Sequence, residues 1–236
     1  MERKRTISIA VVALLAALAM PVGLAAQQHH HYKLIDMGTY GGPQSYIVSD
    51  YEYFGPAQVL NNSGIFVGWA DTLTTDAYPG FCFNADCSLA HGFQWQNGFR
   101  TELRPLAKGV SSAANWVSAN GLIAGASQNG QTNDPINPGF PIVHAVLWKN
   151  GHIKDLGTLP EGGYYSAAHS VNGSGQVVGW ALNTIFDQYS LAELGTFYDN
   201  YEPVYSYQMR AFLWEENGGM KDLGTLGTGL KRAAVA

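Results

Sequence analysis

The stretch HAVLWKNGHIKDLGTL, His144–Leu159, decides the fold. It returns as HGFQWQNGFRTELRPL over His91–Leu106 and as RAFLWEENGGMKDLGTL over Arg210–Leu226. Its second half stands alone as YKLIDMGTY over Tyr32–Tyr40. Self-similarity of this kind marks a repeat architecture. Within HAVLW, His144, Val146 and Trp148 share one face of an extended chain, and Ala145 and Leu147 share the other. Both faces are largely apolar, as in a strand covered on both sides. Asn150-Gly151 follows at once, and Asn97-Gly98 and Asn217-Gly218 hold the same place in the other copies. Asn-Gly between two apolar runs predicts a tight hairpin, because both residues accept the positive φ of a type I′ turn.

A second string lengthens the unit. It reads QVLNNSGIFVGWA at Gln58–Ala70, HSVNGSGQVVGWA at His169–Ala181 and, more weakly, WVSANGLIAGAS at Trp116–Ser127. The third copy therefore predicts four extended pieces: His144–Trp148, Ile153–Leu156, Ser166–Val171 and Gln176–Trp180. No stretch shows capped helical periodicity. A lone four-stranded meander cannot bury both faces, so neighbours must stack. The expectation is an all-β, β-propeller-like array of four-stranded antiparallel units, at roughly 32–71, 91–127, 144–181 and 210–236. Counted this way, the first unit lacks its opening strand and the last lacks its closing strands. The array reads as incomplete at the C-terminus: a fragment, an open arc, or a ring closed through another chain. Phe212, Leu213, Trp214 and Leu223 would then form an exposed apolar patch and favour self-association.

The N-terminus reads as a secretory signal. Arg3, Lys4 and Arg5 precede an apolar run over Ile7–Met20, Pro21 breaks it, and small residues follow. The predicted cleavage site is Ala26, giving a signal peptide at 1–26 and a β domain at 27–236. No later segment has the ~18 apolar residues of a membrane helix. The whole chain carries a net charge of −5. Removing residues 1–26 takes away three basic side chains and one acidic one, leaving ten against seventeen and a charge of −7. That balance argues against nucleic acid as a partner. The export that the signal predicts, to the exterior or the periplasm, is to an oxidising compartment and makes Cys82 and Cys87 in FCFNADCS a candidate disulfide.

These motifs resemble the HAF-repeat family of bacterial extracellular proteins. HAVLWKNGHIKDLGTL, RAFLWEENGGMKDLGTL and NGSGQVVGWA carry the resemblance. It spans the chain after residue 26 apart from the insertions at Leu73–Leu89, Gln128–Val143 and Asn183–Met209. It implies a secreted repeat protein of propeller-like fold, and it brings no catalytic residue. The second copy departs from the pattern at Gly92, Glu102 and Arg104-Pro105.

Candidate chemistry is sparse. Asp36, Asp155 and Asp222 recur before Gly-Thr, but lack the alternating oxygen ligands of a calcium loop. They read as acceptors for turn amides. His91, His144 and His169 read as framework, because two of them recur by repeat position. The polar opening Gln27–His31 reads as a solvated terminus. No cofactor is implied, and no nucleophile elbow, zinc motif, phosphate loop or dinucleotide fingerprint appears. Trp95, Trp148 and Trp214 recur and are expected in the core. Trp116 matches no recurring tryptophan position and is the freer ring. Specificity is expected in the insertions. The longest, Asn183–Met209, is rich in tyrosine and carboxylates. Tyr189, Tyr198, Tyr201, Tyr205 and Tyr207, with Trp116, are the candidate ligand-binding residues for a protein or a glycan. The leading expectation is a non-catalytic binding scaffold. The alternatives are a glycan hydrolase or lyase using Asp199 and Glu202, and a structural surface or biofilm component.

Overall fold

A computed structural model describes residues 32–47, 58–78, 81–84, 86–191 and 205–225. The chain divides after Asp36. Residues 32–36, the described part of the first unit, form no strand. The second unit holds three four-stranded antiparallel sheets and, among the described residues, no helix. The first sheet comprises β1 (Gly41–Tyr46), β2 (Phe66–Thr75), β3 (Ser88–Gln96) and β4 (Phe99–Leu103). The second comprises β5 (Ser112–Val117), β6 (Ile123–Gln128), β7 (Val143–Lys149) and β8 (His152–Asp155). The third comprises β9 (Ser166–Val171), β10 (Val177–Leu191), β11 (Tyr205–Glu215) and β12 (Gly219–Asp222).

The strands fall where the repeat predicts them, but the sheets are cut two strands out of phase with the expected units. HAVLW and HIKD close the second sheet, while SAAHSV and VVGWA open the third. The cause lies at Asp-Leu-Gly-Thr. Gly157 and Gly224 take left-handed φ of 70° and 75°, and so turn the chain out of its sheet. Leu159 then fills the space between second and third sheets. The C-terminal copy is therefore the outer half of a complete sheet. Phe212 and Trp214, expected in an exposed patch, are buried against the second sheet. Leu213 is half-buried, and Leu223 is exposed.

The turns follow their residues. Asn97-Gly98 and Asn150-Gly151 have the positive φ of a type I′ turn. The C-terminal copy departs, because Glu216 adds a residue. Glu215 pairs with Gly219 across a three-residue loop, and Gly219 takes the left-handed conformation. In the turns between each first and second strand, Asn61 and Asn172 accept two backbone N–H bonds each. Strand one of the first sheet is interrupted. Val59 accepts from Val67 and Leu60 bridges Phe66, so Gln58–Leu60 continues β1 beyond an insertion.

Two buried clusters hold the sheets in sequence. Ile65, Val67 and Leu103 of the first meet Val117, Ile123, Val146 and Trp148 of the second. Leu122, Ala124, Ala145 and Leu147 of the second meet Val171, Val177, Phe212 and Trp214 of the third. Serine hydroxyls bind the seams. The amides of Gly92 and Ala145, on third strands, donate to Ser112 Oγ (3.1 Å) and Ser166 Oγ (2.8 Å), on the first strands of the next sheet. The recurring Trp148 and Trp214 are 1% and 4% exposed because a preceding sheet covers them. Trp95 is only half-buried, since no described sheet lies on its side.

Candidate functional site

Each sheet has one end of tight turns and one of long connections. Turns 61–64, 97–98, 118–121, 150–151, 172–175 and 216–218 occupy the first end. The connections from β2 to β3, β6 to β7 and β10 to β11 all leave the other. The three insertions seen in the sequence therefore lie at equivalent places, and much of the longest is strand. Asn183–Leu191 extends β10, and Tyr205–Met209 belongs to β11.

The expected tyrosines divide. Tyr198 and Tyr201 lie outside the described residues, as do the side chains of Tyr189 and Tyr205. Tyr207 is 4% exposed and its hydroxyl donates to Asp134 Oδ1 at 2.9 Å, which makes it an internal anchor. Burial and Asp134 push that hydroxyl's pKa up. Around it, Phe81 meets Phe140 at 5.0 Å, Phe140 meets Tyr165 at 5.9 Å, and Tyr164 meets Tyr207 at 6.2 Å. These rings tie the loop-bearing ends together rather than face a ligand. Trp116 is half-buried against the core between second and third sheets.

The most chemically distinctive place is the loop end of the first sheet. Cys82 and Cys87 form a disulfide, with Cα atoms 4.9 Å apart. Asp76 shapes the loop by accepting from the amides of Tyr78 (2.9 Å) and Phe83 (3.1 Å) and from Ser111 Oγ (3.3 Å). Asn84 bridges strand and loop: its amide donates to Asp71 Oδ1 (2.9 Å), and its oxygen accepts from Trp69 Nε1 (3.2 Å). Gln44 donates its backbone N–H to Asp71 Oδ2 (2.9 Å) and its side-chain amide to Asp86 Oδ2 (3.2 Å). The Tyr46 hydroxyl also reaches Asp86, at 3.4 Å, and its ring stacks on Trp69 at 5.7 Å and 16°. Asp71 is fully buried. Burial first, then the hydrogen bond and charge of neighbouring Asp86, push its carboxyl up to about 7. The Gln44 N–H and the Asn84 amide oppose that shift without cancelling it. Asp71 and Asn84 are buried beneath the group, while Tyr46, Trp69, Gln44 and Asp86 reach its surface, where flat rings can meet C–H groups and a carboxylate and an amide can meet hydroxyls.

Sequence reading missed this group. Asp71 stands where the third copy has the buried Leu182 and the second has Gln128. A carboxylate at a core position of a strand is the signal that pointed to it.

The recurring acids and bases are framework. His91 meets Glu102 at 2.6 Å, His144 meets Asp155 at 2.9 Å, and Arg210 meets Asp222 at 3.5 Å. Asp155 and Asp222 also accept from the amides of Gly157 (2.8 Å) and Gly224 (2.6 Å). Burial raises Asp155, but the His144 hydrogen bond and charge and the Gly157 amide outweigh it and hold the carboxyl low. Burial pushes His169 down to about 4, so it is neutral at pH 7. Among the described residues no three His, Cys, Asp or Glu side chains cluster as metal ligands, and no helix is long and apolar enough to cross a membrane. No family model, curated protein or solved structure matches the chain.

Proposed function

We propose that this chain is a secreted, non-catalytic repeat scaffold of the HAF-repeat type that binds a polysaccharide at the loop-bearing ends of its sheets. In this reading the sheets are blades of a propeller-like arrangement, residues 1–26 direct export, and the Cys82–Cys87 loop fits an oxidising compartment. The observation that carries it is the Tyr46–Trp69 stack beside Asp71, Asp86, Gln44 and Asn84. Paired rings supply the apolar contact, and Asp86 and Gln44, held from beneath by Asp71 and Asn84, select hydroxyl geometry. The test is retention on a panel of immobilised polysaccharides. The expected result is retention of the intact protein on at least one, with no release of soluble sugar. Tyr46→Ser should abolish it. Uniform flow-through on all would overturn the reading.

A second reading is favoured by one observation. A carboxyl titrating near 7 beside a second carboxylate resembles the acid and base pair of a glycan-active enzyme. In that case Asp86, the half-buried carboxyl, meets the glycan and the buried Asp71 acts through it, in place of Asp199 and Glu202, which lie outside the described residues. New reducing ends from a retained polysaccharide, lost on Asp71→Asn, would favour it over simple binding.

A further inference from the structure

The chain carries both halves of one more inter-sheet contact, on opposite outer faces. On the first sheet the outer face presents Phe66 and Trp95, both half-buried, with Phe93 beneath. The matching positions are Ile123, Val146 and Trp148 in the second sheet and Val177, Phe212 and Trp214 in the third, each set buried by the sheet before it. On the third sheet the outer face presents Val178, Ala211 and Leu213, half-buried. Their counterparts Ala124, Ala145 and Leu147 are buried by the sheet that follows.

The polar pairings also match. Ser112 and Ser166 receive third-strand amides across the two internal seams. Ser45 holds their place on β1 and is exposed. Ala211 holds the place of Ala145: Leu223 N donates to its carbonyl at 3.0 Å, as Leu156 N does to that of Ala145 at 3.0 Å. Lys154 lies 5.0 Å from the Trp214 ring centre across the second seam. Lys221 holds its place in the third sheet, and Trp95 holds the place of Trp214 in the first.

We propose that a second copy of this chain docks the outer face of its third sheet on the outer face of the first sheet. Leu213 and Ala211 of one copy then cover Phe66 and Trp95 of the other. Ser45 receives the Ala211 amide, and Lys221 lies over the Trp95 ring. The contact is head-to-tail, so two three-sheet arcs present two such seams. The occupant is identified by the internal seams: the surface that covers Trp148 and Trp214 inside the molecule has its equivalent at the other end of the same chain. Neither face belongs to the Tyr46–Trp69 site, so the proposal stands apart from ligand binding.

The test is sedimentation velocity on the purified protein over about 1–100 µM. A concentration-dependent assembly of two or more copies is expected. Trp95→Arg and Leu213→Arg should each reduce it to monomer. A cooperative thermal transition in each variant establishes that it is folded, and Leu213→Ser serves as a milder change if the arginine is not tolerated. Mixing the Trp95 and Leu213 variants should restore association, because one seam of the mixed pair has both faces intact. A wild-type monomer at 100 µM would overturn the proposal. So would folded Leu213 variants that associate like wild type, or a mixture that stays monomeric.

Discussion

Trp148 and Trp95 occupy the same place in the repeat, and a neighbour decides what each is worth. Trp148 is 1% exposed, and its Nε1 donates to Arg104 O at 3.0 Å across the seam. Trp148→Ala should cost about 3–5 kcal/mol by denaturant unfolding, since a large buried ring and the donor to Arg104 O are lost together. Trp95→Ala should cost about half as much under the same conditions, because its ring is only partly removed from water. Asp71 gives a prediction in pH. In the folded chain it holds its proton to about 7, against 3.8 for the free carboxyl. Between those values the folded state binds more protons than the unfolded one, so stability falls as pH rises. The contribution is fully present below 3.8 and lost by about 7. The thermal midpoint should decline across this window in the wild type and less steeply in Asp71→Asn, measured by calorimetry at a series of pH values. The recurring tryptophans were legible because side-chain alternation on a strand is local. Asp71 was not singled out, because its partners Gln44, Asn84 and Asp86 meet it only once the disulfide loop folds back.

The strands themselves were plain in the sequence, while their grouping into sheets was not. Apolar alternation places β7 and β9 almost to the residue. Nothing in that alternation says whether β8 pairs onward to β9 or turns away. The deciding feature is the left-handed glycine of Asp-Leu-Gly-Thr, which the sequence shows as a glycine but not as the end of a sheet. A second glycine acts inside the strand. A Cβ at Gly125 or Gly179 would lie 2.0 Å from the carbonyl oxygen of Ala113 or Ala167, where the register of the first strand shifts. Gly179→Ala should destabilise by about 1–3 kcal/mol, because backbone rather than a side-chain tip must move. Far-ultraviolet circular dichroism during urea unfolding would measure it. The disulfide closes a short loop, so replacing Cys82 and Cys87 by serine should cost about 2 kcal/mol at most. Its larger expected effect is on the position of Asn84 and Asp86, and hence on ligand retention.

Across the three sheets, the two ends differ in the length of their connections. At the turn end, Asn-Gly and Asn-x-x-Gly loops are as short as hairpins allow, which fits a purely structural role. At the other end every sheet lengthens the same connection, which is where a repeat scaffold carries recognition. The sequence located these insertions and their aromatic content. Of the tyrosines it named there, Tyr207 packs inward on Asp134. Tyr46 meets Asp86 on the disulfide loop of the first sheet. Proximity of that kind is a tertiary fact: Tyr46 is far from Asp86 in sequence, as Trp69 is from Asn84, and each pair meets through one loop. Polysaccharide binding at the loop end is tested by an affinity comparison. Binding of a retained polysaccharide is measured for the wild type, for Tyr46→Ser and Trp69→Ala at the loop end, and for Phe99→Ser at the turn end, where Phe99 is 77% exposed. Each protein is first checked for a cooperative thermal transition. At least a tenfold loss, about 1.4 kcal/mol, is expected for the two loop-end changes and an unchanged affinity for Phe99→Ser. Undiminished binding in the folded loop-end variants, or loss confined to Phe99→Ser, would contradict it.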